Sequence, residues 1–387
     1  MADLELKTKI SMRYLSYLTL ILLISCEGKS NKNYLDFFTN LNLSIDTVII
    51  DPGDEIIFLK HQLLNADMGK DGKYFYNFNG DDHTLEKINL DKLRLEEKLP
   101  FEREGPNGTG PSGAMKVHNE NQITMTGYGQ TTLFSMDGKK LMTVNFEDFS
   151  IGKKATKGGE QLKLDRVLDT NANRLYVITH SYIDESYTLG ILYLDAYEVN
   201  RLMLESFEKL SNYNIIFNSG GIRIFESPPV NLDKVGTKVI LSNLITNTLM
   251  WYDTEMDSLF IKSYNSQLTA NQKENEFENE YETPEEFEVA KRKLKQEINF
   301  MPPFWEEQGE CFYRFSYQEI ENIGGERIRS KVYLTALDKD LNILGETLVP
   351  RLTKKPGKHF AKDGEIWIYE NINDEMGFVR LKMKKIN

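Results

Sequence analysis

The sequence predicts an all-β fold, a six-bladed β-propeller carrying one inserted amphipathic helix. Three observations carry that expectation. A three-strand phrase recurs along most of the chain, an apolar segment precedes each copy, and the last copy is short by a strand that an upstream segment could supply. Repeats at this period signal propellers or solenoids. The clearest copy spans residues 119–146, NENQITMTGYGQTTLFSMDGKKLMTVNF. Its three segments are rich in β-branched and aromatic residues, and Asp137-Gly138 between the last two is a strong hairpin signal, here read as a type I′ turn.

Taken in order, the phrases begin near Tyr74, Ile123, Leu175, Val239, Cys311 and Ile366, with spacings of 49, 52, 64, 72 and 55 residues. A four-strand blade takes about 40–50 residues, so the two longest intervals hold insertions. The fourth, innermost strands are expected in residues 56–64, 112–119, 161–169, 221–228, 299–307 and 358–364. The sixth phrase has only two strands before the chain ends. Residues 44–50, SIDTVII, would complete it and remove two open sheet edges. NIIFN and GIRIF within 208–225 form an extra hairpin, which leaves room for a seventh blade.

The insertion at about 265–300 begins polar and acidic and ends helical. In TPEEFEVAKRKLKQEINF, Thr283 is the N-cap, Pro284 the first helical residue, and Glu286 completes a capping box. Phe287, Ala290, Leu294 and Ile298 share one face. The polar stretch 265–282 is expected as a mobile element at a channel mouth.

The N-terminus reads as a lipoprotein signal peptide over residues 1–25. Arg13 supplies positive charge, Tyr14 to Ile24 a short apolar core, and Leu23-Ile24-Ser25-Cys26 a lipobox with Cys26 as the lipidation site. Asp3 and Glu5 are out of place in such a leader, so Met12 is an alternative start. Residues 26–42 form a polar tether and 43–387 the propeller. This places the protein at the cell envelope, held to a membrane by its lipid, with an envelope protein or a small ligand as partner. The net charge of −12 speaks against nucleic acid.

No catalytic constellation emerges. Gly105–Gly113 lacks the Lys of a P-loop, and no two of the five histidines have zinc-helix spacing. Cys311, in the apolar run CFYRFSY, reads as a buried, inert thiol. His61, His118 and His359 fall in the expected inner strands, and Trp305 follows Pro302 and Pro303, so these four are the candidate channel or rim binding residues. No cofactor or metal is called for. With the lipobox, EGPNGTGPSG and FWEEQGECFYRFSY, the chain resembles a family of Bacteroidota lipoproteins of unknown function. The resemblance implies a six-bladed, TolB-like propeller and an envelope location, and carries no catalytic residues. The reading is a non-enzymatic binding module; a propeller hydrolase or lyase with a channel-mouth site is the alternative.

Overall fold

A computed structural model describes residues 36–111, 113–149, 160–181, 183–320 and 329–386. The leader, Cys26 and most of the tether lie outside the described residues. What is described is all-β, built mainly from antiparallel sheets that follow one another along the chain. Their first strands are Ala66–Met68, Ala114–Asn119, Glu160–Asp169, Val230–Val235, the pair Asn299–Phe300 and Phe304–Glu306, and His359–Lys362.

Each sheet is apolar on both faces because each packs between two neighbours. Phe78 and Leu85 of the first sheet share a core with Met115, Ile123 and Phe134 of the second. Similar cores join the second to the third, the third to the fourth, the fourth to the fifth and the fifth to the sixth. Phe75 and Ile88 of the first sheet in turn pack on Phe360, Trp367 and Phe378 of the sixth. Burying two faces per sheet explains why the middle strands are almost continuously apolar rather than alternating.

The upstream segment does complete the sixth sheet. Leu41–Ile49 pairs antiparallel with Glu375–Lys385, Ile45 opposite Leu381. The N-terminal strand is thus the outermost strand of a sheet whose other three members end the chain.

Three expectations are corrected. Residues 56–64 are not a strand; the first strand of the first sheet is Ala66–Met68. His61, Gln62 and Leu63 take left-handed φ of 59°, 53° and 60°, a conformation that no extended strand allows. Upstream, the Phe58 N–H is spent on the carboxylate of Glu86, and Lys98 donates to the carbonyl of Ile56. Residues 221–228 are not the inner strand of the fourth sheet either. Ile222–Glu226 forms the expected hairpin with Ile215–Ser219, and Glu280–Tyr281 adds to it in parallel, giving a three-stranded sheet. Finally, the Asp137-Gly138 turn is not type I′. Only Gly138 has positive φ, its N–H donates to Ser135 O at 3.0 Å, and a register shift follows at Phe134. The pairing is the expected one, reached through a bulge.

The helix runs Pro284–Gln296 with Thr283 as N-cap, its hydroxyl accepting the Glu286 N–H. The reciprocal arm differs from a capping box: the Thr283 hydroxyl donates to the Glu286 carboxylate at 2.8 Å. Phe287 and Ala290 pack with Ile215, so the helix and the hairpin form one small subsidiary core. Among the described residues no helix is long and apolar enough to cross a membrane.

Candidate functional site

The first strands of the six sheets that have four or more strands border one cavity of about 2050 Å³. A strand presents alternate residues to opposite faces, and a first strand also has one edge without a sheet partner. That edge and the loops at its ends form the cavity wall.

The wall is polar on most sides. Asp67, Lys116 and Asp165 come from the first, second and third sheets, and Asn231 and Asp233 from the fourth. They are joined across sheet boundaries. Val117 N–H donates to Asp67 at 2.9 Å, and the Asn231 amide donates to Asp165 at 3.0 Å. Lys116 reaches from the second sheet to the fourth, donating to Leu232 O at 2.7 Å with Asp233 3.7 Å away. From the sixth sheet, Lys358 faces Asp67 at 3.8 Å. Burial disfavours the Lys116 ammonium, but Asp233, Asp165 and Asp67 outweigh it and raise its pKa above the ordinary lysine value. The fifth sheet is different. Met301, Pro302, Pro303 and Phe304 supply an apolar wall to the same space.

All four candidate residues border this cavity, and His118, Trp305 and His359 are each engaged by their own surroundings. His61 sits exposed in the left-handed turn. His118 meets the Thr170 hydroxyl through Nε2 at 2.9 Å; burial, then Lys70, pushes its pKa down. The Trp305 indole donates to Glu307 at 2.7 Å and lies edge-on to Phe312, between the fourth and fifth sheets. His359 hydrogen-bonds through Nδ1 with Gly357 O at 2.8 Å and is wedged between the rings of Phe304 and Phe315. Burial lowers its pKa to about 4, so the ring is neutral at pH 7. The structure therefore brings the four to one space without linking them to each other.

Sequence reasoning missed the charged residues that do interact. One signal was available: Asp67, Lys116 and Asp165 stand 49 residues apart in succession, close to the first two phrase spacings of 49 and 52. Residues 265–282, expected at a channel mouth, do not border the cavity. Lys273 ties them down instead, buried and donating to Leu294 O, Ile298 O and Asn299 Oδ1, each at 2.8 Å. Gly105–Pro111 lies between the first and second sheets, with Thr109 N–H on Glu102 O, away from the cavity. Cys311 is buried and its thiol is pushed up by burial, as an inert core residue would be. Among the described residues, no three His, Cys, Asp or Glu side chains gather as metal ligands would.

A family model described as "Domain of unknown function (DUF4221)" matches residues 39–348. The crystal structure of a member of that family from Bacteroides vulgatus is 13% identical and superposes with a TM-score of 0.63, covering 90% of this chain and 99% of that one. A putative exported protein from Bacteroides fragilis is 9% identical with a TM-score of 0.49, over 89% of this chain and 95% of that one. The β-propeller domain of Myceliophteria thermophila Cps50 (Swd1) is 8% identical with a TM-score of 0.37, over 88% and 99%. At 13% identity the likeness to the Bacteroides vulgatus protein concerns fold alone. No curated protein matches the chain.

Proposed function

The chain belongs to the DUF4221 family, and we propose that it is a closed, six-bladed propeller held at the cell envelope by lipid on Cys26, binding a small ligand in its central cavity. The blade count is supported by six interfacial cores, the last of which joins the sixth sheet to the first. Envelope attachment is supported by the lipobox at residues 23–26. Non-enzymatic binding is supported by one observation above the others. Six separate sheets deliver a mixed polar and apolar lining to one space, and hydrogen bonds to neighbouring sheets hold Lys116, Asp67 and Asp165 in position there. A lysine kept charged and a histidine kept neutral with one nitrogen already engaged suit recognition better than proton transfer at neutral pH.

A thermal-shift screen of small molecules tests this, comparing wild type with Asn231→Trp. Asn231 borders the cavity, so a tryptophan there obstructs it. Compounds that stabilise wild type should lose their effect on the variant. Stabilising compounds that act equally on a folded Asn231→Trp protein would place the site elsewhere and sink the reading.

A further inference from the structure

A strap, residues 52–64, joins the outermost strand of the sixth sheet to the first strand of the first. Backbone bonds fix both of its ends. Asp51 N–H donates to Leu93 O at 2.8 Å, and Asn65 O accepts the Phe78 N–H at 2.9 Å. Between those ends, among the described residues, its backbone–backbone bonds are internal: Glu55 N–H to Pro52 O at 3.3 Å and Leu64 N–H to His61 O at 3.2 Å. Three side chains of the first sheet hold the middle. Glu86 accepts the Phe58 N–H at 2.9 Å, Asn77 donates to Phe58 O at 2.7 Å, and Lys98 donates to Ile56 O at 2.8 Å. Asn77 also donates to Glu86 at 2.7 Å, and Lys98 lies 3.8 Å from it, so this buried carboxylate is the centre of a latch.

Beyond the latch the strap is strained. His61, Gln62 and Leu63 are three successive left-handed residues, each with a Cβ that crowds the following carbonyl. Such a turn persists only where its surroundings hold it. Here they are the latch on one side and Leu63 on the other, buried in the core that includes Ile57, Phe75 and Ile88. Next to that anchor the packing stops: Leu64 is 71% exposed, and Ile56 at the latch is 82% exposed. Strain, apolar side chains open to water and few backbone bonds to the rest of the fold mark a segment of low local stability. His61, Gln62 and Leu64 of that segment border the cavity.

We propose that residues 52–64 are a gate on one mouth of the cavity, kept in position by the Glu86 latch and opened by relaxation of the left-handed turn His61–Leu63. This rests on the cavity reading and adds a controlled entrance to it. Release of the Phe58 N–H from Glu86 frees the middle of the strap. The turn then relaxes to right-handed or extended backbone and carries His61 and Leu64 away from the rim.

Hydrogen exchange of the Leu64 amide in the whole protein tests it. That amide is bonded to His61 O within the strap and not to the latch, so it reports opening of the turn. Glu86→Gln should speed its exchange about 10-fold, the effect of losing one hydrogen bond to a charged group. Gln62→Gly should slow it several-fold, because glycine has no Cβ to crowd at positive φ. Opposite signs cannot come from general loss of structure, for which the ladder amides of Glu375–Lys385 give the reference. Access is read by a thiol introduced as Asn231→Cys at the cavity wall. Over the background of the unsubstituted chain, it should react with a maleimide faster when combined with Glu86→Gln and slower with Gln62→Gly. Unchanged Leu64 exchange in Glu86→Gln, or faster exchange in Gln62→Gly, overturns the proposal. Exchange that shifts as expected with constant thiol reactivity also overturns it, leaving a mobile turn that gates nothing. The comparison with Asn231→Trp fails or succeeds independently of these rates, since it asks only whether a ligand binds.

Discussion

Asp46 and Arg380, 334 residues apart in sequence, stand directly opposite each other in the pair formed by the N-terminal and C-terminal strands. The guanidinium grips both carboxylate oxygens, Nε at 2.9 Å from Oδ1, and Lys382 adds a contact at 2.9 Å. Glu365 of the adjacent strand lies 3.8 Å from Arg380 and 3.5 Å from Lys382. The chain's two ends are therefore joined by side-chain charge as well as by the backbone ladder.

The hydrogen bond from Arg380 is the main reason that the Asp46 pKa falls to about 2, with burial opposing and Lys382 assisting. A carboxyl whose folded pKa is depressed contributes stability above its unfolded value, lost as pH falls through the folded value. Acid unfolding of wild type between about pH 4 and 2 should therefore be steeper than that of Asp46→Asn. Because Asp46 is 40% exposed, solvent screens the pair, and the variant should lose only about 1 kcal/mol at pH 7. Identical acid profiles would show that the pair contributes nothing to closure. Deleting residues 41–50 is a different matter. It uncovers the outer edge of Glu375–Lys385 and should cause aggregation; a soluble, cooperatively unfolding deletion would contradict closure through this strand.

Lys273 should act as a clamp on the helix Pro284–Gln296. Burial lowers its pKa to about 7, while Leu294 O, Ile298 O and Asn299 Oδ1 take its three donors. Between that value and the ordinary lysine value, the unfolded chain holds a proton that the folded one releases, so this group makes stability rise with pH. Chemical denaturation at pH 7 and pH 10 should show a gain in wild type relative to Lys273→Met. Proteolysis should also cut the variant's 265–300 region faster. Equal pH trends in the two proteins would remove Lys273 from the account.

Lys116 spans the cavity and should tie the second sheet to the fourth. Lys116→Met removes the cation from among Asp67, Asp165 and Asp233 and should cost about 1–3 kcal/mol, the usual penalty for leaving a partly buried charge without its partner. Adding Asp233→Asn should recover part of the loss. A double-mutant cycle on denaturant midpoints measures this, and strict additivity would mean that the 3.7 Å contact has no energetic weight.

Cys26→Ser should release the protein from the membrane fraction or leave an uncleaved precursor of higher mass. Unchanged partitioning and processing would remove the lipid anchor from the proposal.

The sequence alone determined the repeat, the all-β class, the pairing of residues 44–50 with the C-terminus and the cap of the helix. Each rests on local signals: alternation and β-branching for strands, Thr283-Pro284 for a helix start, and an incomplete last phrase for the missing partner. Repeat position also placed His61, His118, Trp305 and His359 in inner strands or at a rim; all four border one cavity, His61 from a left-handed turn and not from a strand. What the sequence could not determine was which residues act on one another there. Asp67, Asp165 and Asp233 meet Lys116 only because first strands from four sheets converge, at separations of 49 to 117 residues that no periodicity within a strand encodes. The same holds for the strand errors. Residues 56–64 are apolar enough for a strand, but their backbone groups are claimed by Glu86 and Lys98, whose positions depend on the folded first sheet. Residues 222–226 are likewise strand-like, and only the packing of Phe287 and Ala290 on Ile215 recruits that hairpin to the helix instead of the cavity. Hydrophobic pattern records that a segment will be buried or extended; which neighbour it meets is decided by the tertiary structure, because that choice is a competition among distant partners for the same hydrogen bonds and the same apolar surface.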